Sequence, residues 1–154
     1  MDYKEQYNKI YRYCYFRLRH RESAEDITQE TFLQYLKHPE YGGAGEPLKI
    51  LYTIARNLCI DELRRGSRIN LVSQDGIAEC AGDSPNEENI ILQTRLREAM
   101  GALEEAEREI VFLRIVNEVP AAVIGRLLGI SRFAVYRRCE RALKLLRKEM
   151  EADL

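Results

Sequence analysis

The stretch AAVIGRLLGISRFAVYRR, residues 121–138, is the part of the chain whose spacing is most specific. Gly125 is followed four residues later by Gly129, and Val135 comes six residues after that. A helix-turn-helix needs a small residue where its two helices touch, a turn residue that tolerates positive φ, and an apolar residue that packs back. These three residues meet the demands in order, and Ser131 suits the N-cap of the second helix. We predict a helix-turn-helix here, with an ordinary helical hairpin as the alternative.

The same region concentrates positive charge. Residues 126–148 hold eight basic side chains and one acidic side chain, in a chain whose net charge is −1. Such a run is either a solvated helix face or a surface that binds phosphates. The helix-turn-helix favours the second interpretation, because arginines and aromatic rings lie opposite an apolar stripe on its second helix, as in major-groove readers. We therefore predict DNA contacts from Ser131, Arg132, Phe133, Tyr136, Arg137, Arg138 and Arg141.

Helical periodicity also fills the first 66 residues. Apolar residues recur at spacings of three and four from Tyr3 to Leu18, which predicts a first helix. The second helix is expected to begin at Ser23, where S-A-E-D resembles a capping box, and to end before Pro39. A third helix is expected from Pro47, which suits a first helical turn, to about residue 66.

Residues 67–92 interrupt this pattern. They carry one basic and five acidic side chains, and they contain the turn dipeptides Asp75-Gly76 and Ser84-Pro85. Helical patterns resume near residue 89 and predict further helices over 89–102, 105–116, 120–128 and 132–150. The predicted fold is all-α: two small helical domains, residues 1–66 and 93–154, joined by a flexible acidic linker over 67–92, with the helix-turn-helix in the second domain.

The composition gives no sign of catalysis. The two histidines have no neighbouring nucleophile or metal ligand, and the four cysteines, at 14, 59, 80 and 139, match no zinc or redox spacing. We expect no catalytic residue, no metal site and no cofactor. No apolar run approaches the roughly 20 residues of a membrane span, and the polar N-terminus is unlike a secretory signal. We therefore expect a cytoplasmic protein without membrane insertion.

Two segments of the first domain add a resemblance to a known family. AEDITQETF, residues 24–32, and LYTIARNLCIDELRR, residues 51–65, resemble the first domain of extracytoplasmic-function (ECF) sigma factors. Residues 100–148, which include the helix-turn-helix, resemble the second domain of that family. The resemblance covers nearly the whole chain in the right order. It implies a bacterial transcription initiation factor, not an enzyme, that binds core RNA polymerase and directs it to promoters.

The resemblance also implies a role for each matching position. The second domain of the family reads the −35 element, which gives that role to the predicted DNA contacts of the helix-turn-helix. The polymerase clamp helices are expected to meet Asp26, Gln29 and Glu30. The −10 element and its opened strand are expected to meet Thr53, Arg56, Asn57, Ile60, Arg64 and Arg65, with Tyr41 stacking on a flipped base. Family members are commonly held inactive by a membrane-associated anti-sigma factor, so such a partner is expected as well.

The chain departs from the family pattern at several positions. Ile50 stands where the family usually has a tryptophan, so strand opening assisted by that ring is not expected. Val123-Ile124-Gly125 replaces Glu-Ile-Ala, and Phe133-Ala134 replaces a small pair. Phe133 at the groove-facing end of its helix predicts an altered −35 preference, with apolar contact to thymine methyl groups.

Two other classes of protein remain open on the sequence alone. A self-sufficient helix-turn-helix repressor would bind a palindromic duplex as a dimer, with its first domain sensing a ligand or dimerising. A protein-binding adaptor would carry its basic helix incidentally. A sigma factor differs from both because it binds core polymerase tightly and needs the polymerase to set the spacing of its two DNA-reading surfaces.

Overall fold

The computed structural model describes residues 2–37, 46–66 and 87–152 of the chain. Every element in these ranges is helical, as the all-α prediction requires. The described helices divide into two compact units, one before residue 67 and one after residue 86. Three helices form the first unit: α1 (Tyr3–Leu18), α2 (Arg21–Lys37) and α3 (Pro47–Arg65). The second unit contains α4 (Glu87–Gly101), α5 (Glu105–Val111), α6 (Ala121–Leu128) and α7 (Arg132–Ala152).

The core of the first unit is built where α1, α2 and α3 meet. Tyr13 of α1 and Tyr52 of α3 are fully buried, with ring centroids 5.7 Å apart in an edge-to-face arrangement. This geometry is the favourable one for paired aromatic rings. Tyr3, which the periodicity assigns to the apolar stripe of α1, is instead half exposed.

The start of α2 differs from the sequence prediction. The helix begins at Arg21 rather than Ser23. The amide of Ser23 donates a hydrogen bond of 3.2 Å to Nδ1 of His20, and the amide of Ala24 bonds the carbonyl of His20. His20 therefore caps the helix with its ring nitrogen, and Ser23 lies inside the first turn. The S-A-E-D pattern predicted the helix correctly and its capping residue incorrectly, because an imidazole nitrogen replaced the hydroxyl acceptor.

Two further helix boundaries differ in the second unit. α4 begins at Glu87, within the segment assigned to the linker, and its two N-terminal glutamates suit the positive end of the helix dipole. The single helix expected over 105–116 is α5 followed by a π-helical stretch, Phe112–Val116. Its wider turn ends where the amide of Asn117 donates to the carbonyl of Phe112 at 3.0 Å. The backbone then passes through Glu118 with a φ of +55° before α6 begins.

The core of the second unit lies beneath α7. Ala142 and Leu146 of that helix pack with Ala99, Leu103 and Val111. The guanidinium of Arg95 bonds the carbonyl of Met150 at 2.8 Å and ties α4 to the end of α7. The C-terminal half of α7 thus packs against α4 and α5, which we call the helical base of the second unit. The N-terminal half of α7 packs against α6 to form the helix-turn-helix.

Candidate nucleic-acid interface

The structure contains the predicted helix-turn-helix, formed by α6 and α7. Gly129 ends α6 with a φ of +75°, the left-handed conformation in which glycine is favoured. Gly125 lies against the start of α7: a Cβ atom there would approach Arg132 N at 3.3 Å. The amide of Ala134 donates to Oγ of Ser131 at 3.1 Å, which confirms Ser131 as the N-cap of α7. The turn and both helix ends therefore follow the spacing of the sequence.

α7 has one buried face and one exposed face, and we call it the recognition helix. The apolar stripe opposite the arginines and aromatic rings is buried, and it consists of Val135, Cys139, Ala142 and Leu146. Burial also raises the pKa of the Cys139 thiol, as expected for a small core residue. Six of the seven predicted DNA contacts are exposed and Arg138 is half-buried; the exposed ones are Ser131, Arg132, Phe133, Tyr136, Arg137 and Arg141.

Two arginines stack on the aromatic rings of the recognition helix. The guanidinium carbon of Arg132 lies 5.2 Å from the ring centroid of Phe133, and the ring is 69% exposed. Arg114, from the π-helical stretch, lies 4.8 Å from the ring centroid of Tyr136. A cation within about 6 Å of a ring face is attracted by the ring quadrupole. Arg114 was not among the residues predicted from the sequence, since it lies 22 residues from Tyr136 and outside the motif.

Arg141 has a partner in the structure that the sequence pattern did not predict. Its guanidinium is hydrogen-bonded and ion-paired to Oε1 of Glu107, a buried carboxylate on α5. The hydrogen bond and the charge of Glu107 raise the pKa of Arg141 above its usual value. The Arg141 side chain is therefore held by a buried carboxylate although it is itself largely exposed.

α3 borders an open groove in the first unit, which we call the α3 groove. Its volume is about 510 Å³, and it is lined by Gln34, Lys49, Ile50, Thr53, Ile54, Asn57, Leu58 and Asp61. Two of the residues predicted for the −10 element, Thr53 and Asn57, meet in this groove. Arg56 and Ile60 are half-buried and do not line it, and Arg64 and Arg65 are exposed at the end of α3. Tyr41 lies outside the residues that the structure describes.

The outer side of α2 carries the residues predicted to contact polymerase. Asp26, Gln29 and Glu30 are all exposed. Leu33 and Leu36 continue the same side and are 50% and 62% exposed. We call these five residues the α2 surface. The two leucines were missed at the sequence level because periodicity alone does not separate an exposed leucine from a core leucine.

The described ranges, 2–37, 46–66 and 87–152, contain no group of three or more histidine, cysteine, aspartate or glutamate side chains placed to hold a metal ion. Among the helices in these ranges, none is both long enough and apolar enough to span a membrane.

Comparison with known proteins adds independent information. Residues 3–69 match the family Sigma-70 region 2, and residues 93–146 match Sigma-70, region 4. The chain is 33% identical over 132 residues to the ECF RNA polymerase sigma factor SigL of Mycobacterium tuberculosis, covering 83% of this chain and 75% of SigL. It is 27% identical over 154 residues to the RNA polymerase sigma factor YlaC of Bacillus subtilis, covering 96% of this chain and 89% of YlaC. The ECF sigma factor SigW of B. subtilis is 26% identical over 156 residues, covering 93% of this chain and 83% of SigW. The chain therefore belongs to the ECF sigma factors, which are transcription initiation factors and not enzymes.

Proposed function

This sigma factor binds core RNA polymerase and promoter DNA, and we propose that three separate surfaces make these contacts. The recognition helix reads the −35 element, the α3 groove engages and opens the −10 element, and the α2 surface binds the clamp helices of the polymerase. The observation that carries the proposal is the exposure of Phe133 and Arg137 on a helix whose opposite side is locked into the core. A rigid helix with exposed cationic and aromatic side chains near its N-terminus has the geometry of a major-groove reader.

At the −35 element, the exposed side chains divide into two kinds of contact. Arg132 and Arg137 present planar guanidinium groups, which bind the O6 and N7 atoms of guanine bidentately or bind a phosphate. Phe133 has no hydrogen-bonding group, so its contacts are with apolar groups, of which the thymine methyl is the one exposed in the major groove. Arg138 is half-buried and lies at the side of the helix, where a phosphate contact is favoured over a base contact.

At the −10 element, the α3 groove offers polar groups beside apolar walls. The hydroxyl of Thr53 donates to the carbonyl of Lys49 at 2.6 Å, which leaves its oxygen lone pairs for a donor on a base. Asn57 is exposed and carries both a donor and an acceptor for a base edge. Ile50 lines the same groove and gives an apolar wall where the family usually has an indole ring. Arg64 and Arg65 follow on the same helix as candidates for phosphate contacts, and Arg56 and Ile60 complete the proposed set with Tyr41.

At the polymerase, the α2 surface combines charge with apolar area. Asp26 and Glu30 supply carboxylates for basic groups on the clamp, and Gln29 supplies an amide. Leu33 and Leu36 add exposed apolar side chains to the same surface. A patch with apolar anchors beside polar groups is typical of a stable protein interface.

A transcription experiment separates these roles. Bacterial core RNA polymerase is loaded with wild type, Arg137→Ala or Asn57→Ala, on a promoter selected from a library by the wild-type holoenzyme. We expect both variants to lose activity on duplex DNA. A template already unpaired at the −10 element restores activity to Asn57→Ala and not to Arg137→Ala, because only the first lacks strand opening. If both variants transcribe like wild type, these assignments are wrong.

We also propose that the protein acts in the cytoplasm, where RNA polymerase works, and that an anti-sigma factor holds it inactive, as is typical of the family. The exposed recognition helix and α2 surface are the surfaces such an inhibitor has to cover. Affinity purification from native cells before and after stress tests this. We expect an inhibitor bound before induction and released afterwards. Recovery of the chain without any bound protein under both conditions contradicts the proposal and indicates control through abundance.

A further inference from the structure

The ion pair between Glu107 and Arg141 joins a buried group to an exposed one. The Glu107 side chain is 7% exposed, and the Arg141 side chain is 66% exposed. Glu107 belongs to α5 and Arg141 to the recognition helix, 34 residues further along the chain. The pair therefore connects the helix that reads DNA to the helical base of the second unit.

The buried position of Glu107 determines which partner Arg141 keeps. A carboxylate removed from water is stable in its charged form only while it is paired and hydrogen-bonded. If Arg141 turned towards a DNA phosphate, it would leave Glu107 buried without this bond. The nearby charge of Glu104 also favours the guanidinium where it is. Glu107 and Glu104 thus both disfavour movement of the Arg141 guanidinium towards DNA.

The position of Arg141 along the helix leads to the same conclusion. It lies nine residues after Arg132, so its Cα is about 13 Å further along the helix axis. Helices of this class contact base edges with their N-terminal residues. Arg141 is therefore displaced from the base-reading end, and its charge is balanced by Glu107.

We propose that Glu107 is a positioning residue for −35 recognition: it holds the recognition helix against α5 through Arg141, and Arg141 itself does not contact DNA. The proposal rests on the proposed role of α7 at the −35 element, and it replaces the role predicted for Arg141 from the sequence. Loss of Glu107 or of Arg141 makes the orientation of the recognition helix less fixed. Specific binding to the −35 element is then weaker, while the number of contacts to DNA phosphates stays the same.

The test uses the holoenzyme with bacterial core polymerase and a promoter duplex selected by the wild-type holoenzyme, with dissociation constants measured over a range of salt concentrations. We expect Glu107→Gln and Arg141→Ala each to weaken binding by on the order of fivefold, and the double variant to be no weaker than either single variant. The slope of log K against log salt is expected to remain that of wild type. Arg137→Ala is expected to reduce the slope by about 0.9 for each phosphate that the arginine neutralises in the wild-type complex.

Two further variants keep the experiment decisive. Glu107→Asp retains the charge and shortens the side chain, so it is expected to weaken binding even if Glu107→Gln fails to fold. Glu140→Gln removes a carboxylate from an exposed pair on the same helix, where Glu140 lies 3.8 Å from Lys144 and both are 73% exposed. This control is expected to bind no more weakly than wild type, and equal weakening by Glu140→Gln and Glu107→Gln contradicts the proposal.

The opposite result is equally clear. If Arg141 instead binds a DNA phosphate, Arg141→Ala reduces the salt slope by about 0.9. Glu107→Gln and Glu107→Asp then bind as tightly as wild type or more tightly, because they release the guanidinium. That outcome overturns the positioning role while leaving −35 recognition by α7 intact. A different result would show that α7 does not recognise the −35 element at all: in that case Arg137→Ala binds the promoter duplex like wild type.

Discussion

Gly125 of α6 lies in backbone contact with Ile130, in the turn that leads into α7. The amide of Ile130 donates a hydrogen bond of 2.9 Å to the carbonyl of Gly125. A Cβ atom at position 125 would lie 2.6 Å from the carbonyl oxygen of Ile130, closer than side chains approach a backbone oxygen. The recognition helix therefore depends on the missing side chain at Gly125 for its position.

Gly125→Ala is expected to destabilise the second unit. Alanine is favoured over glycine inside a helix by up to about 1 kcal/mol, but the clash is with backbone, and overpacking costs about 1–3 kcal/mol. We expect a net loss of about 1 kcal/mol or more and weaker binding to the −35 duplex. Thermal and urea unfolding of the full chain measure the first effect.

Gly101→Ala is the matched control, because nothing lies within 4 Å of the position that a Cβ atom would take there. Here only the backbone entropy of the unfolded chain changes, so stability is expected to rise by about 0.4–1 kcal/mol. If both alanine variants change stability in the same direction, the close approach at Gly125 is not what positions the helix.

Glu118→Gly is expected to stabilise the second unit. Glu118 is exposed and has a φ of +55°, a conformation that costs a residue with a Cβ atom roughly 1–2 kcal/mol. Glycine removes this strain at the cost of greater freedom in the unfolded chain, so we expect a gain of about 0.5–1 kcal/mol. Glu118→Ala retains the Cβ atom and is expected to leave stability unchanged. A higher melting temperature for the alanine variant than for the glycine variant would disagree with the observed backbone.

Phe133 is expected to make the −35 preference sensitive to thymine methyl groups. Replacing each thymine of the selected −35 duplex by uracil removes one methyl and keeps every hydrogen-bonding group. At the contacted base pair, wild type is expected to lose about 0.8 kcal/mol, or roughly fourfold in affinity. Phe133→Ala is expected to bind the two duplexes equally. Identical affinity of wild type for all uracil-substituted duplexes excludes this contact.

Leu33→Ser is expected to weaken binding to core polymerase without unfolding the protein. The side chain is 50% exposed, so its replacement costs little in the free chain, whereas burying it at an interface contributes about 1.5 kcal/mol or roughly tenfold in affinity. Tyr3→Ser removes another exposed apolar side chain, at the start of α1, and is expected to bind like wild type. Equal losses in both variants would point to a general effect on the first unit.

The helix-turn-helix could be predicted in detail from the sequence because its constraints are local. Gly129 has a positive φ and its amide bonds the carbonyl of Gly125, while the hydroxyl of Ser131 accepts from the amide of Ala134. Each of these bonds joins residues at most four positions apart. The start of α2 was placed two residues late for the opposite reason: the cap is His20, and histidine is not a typical capping residue. Periodicity thus located the helices, while the chemistry of their ends needed the structure.

The residues that the sequence could not place are those that act through tertiary contacts. Glu107 and Arg141 are 34 positions apart, and no helical spacing relates them. Arg114, in the π-helical stretch, contacts the ring of Tyr136 although 22 positions of sequence separate them. Leu33 fits an apolar pattern as well as a core leucine does, and only its exposure distinguishes it. Pairing and exposure depend on how the helices pack, which the linear pattern does not contain.

The most direct test of the account is a titration of the labelled full chain with bacterial core RNA polymerase, with and without promoter DNA. We expect tight binding to core that Leu33→Ser weakens, and promoter binding that is far stronger for the chain with core than for the chain alone. A chain that shows no affinity for core, or that binds a palindromic duplex equally well as a free dimer, would contradict the account.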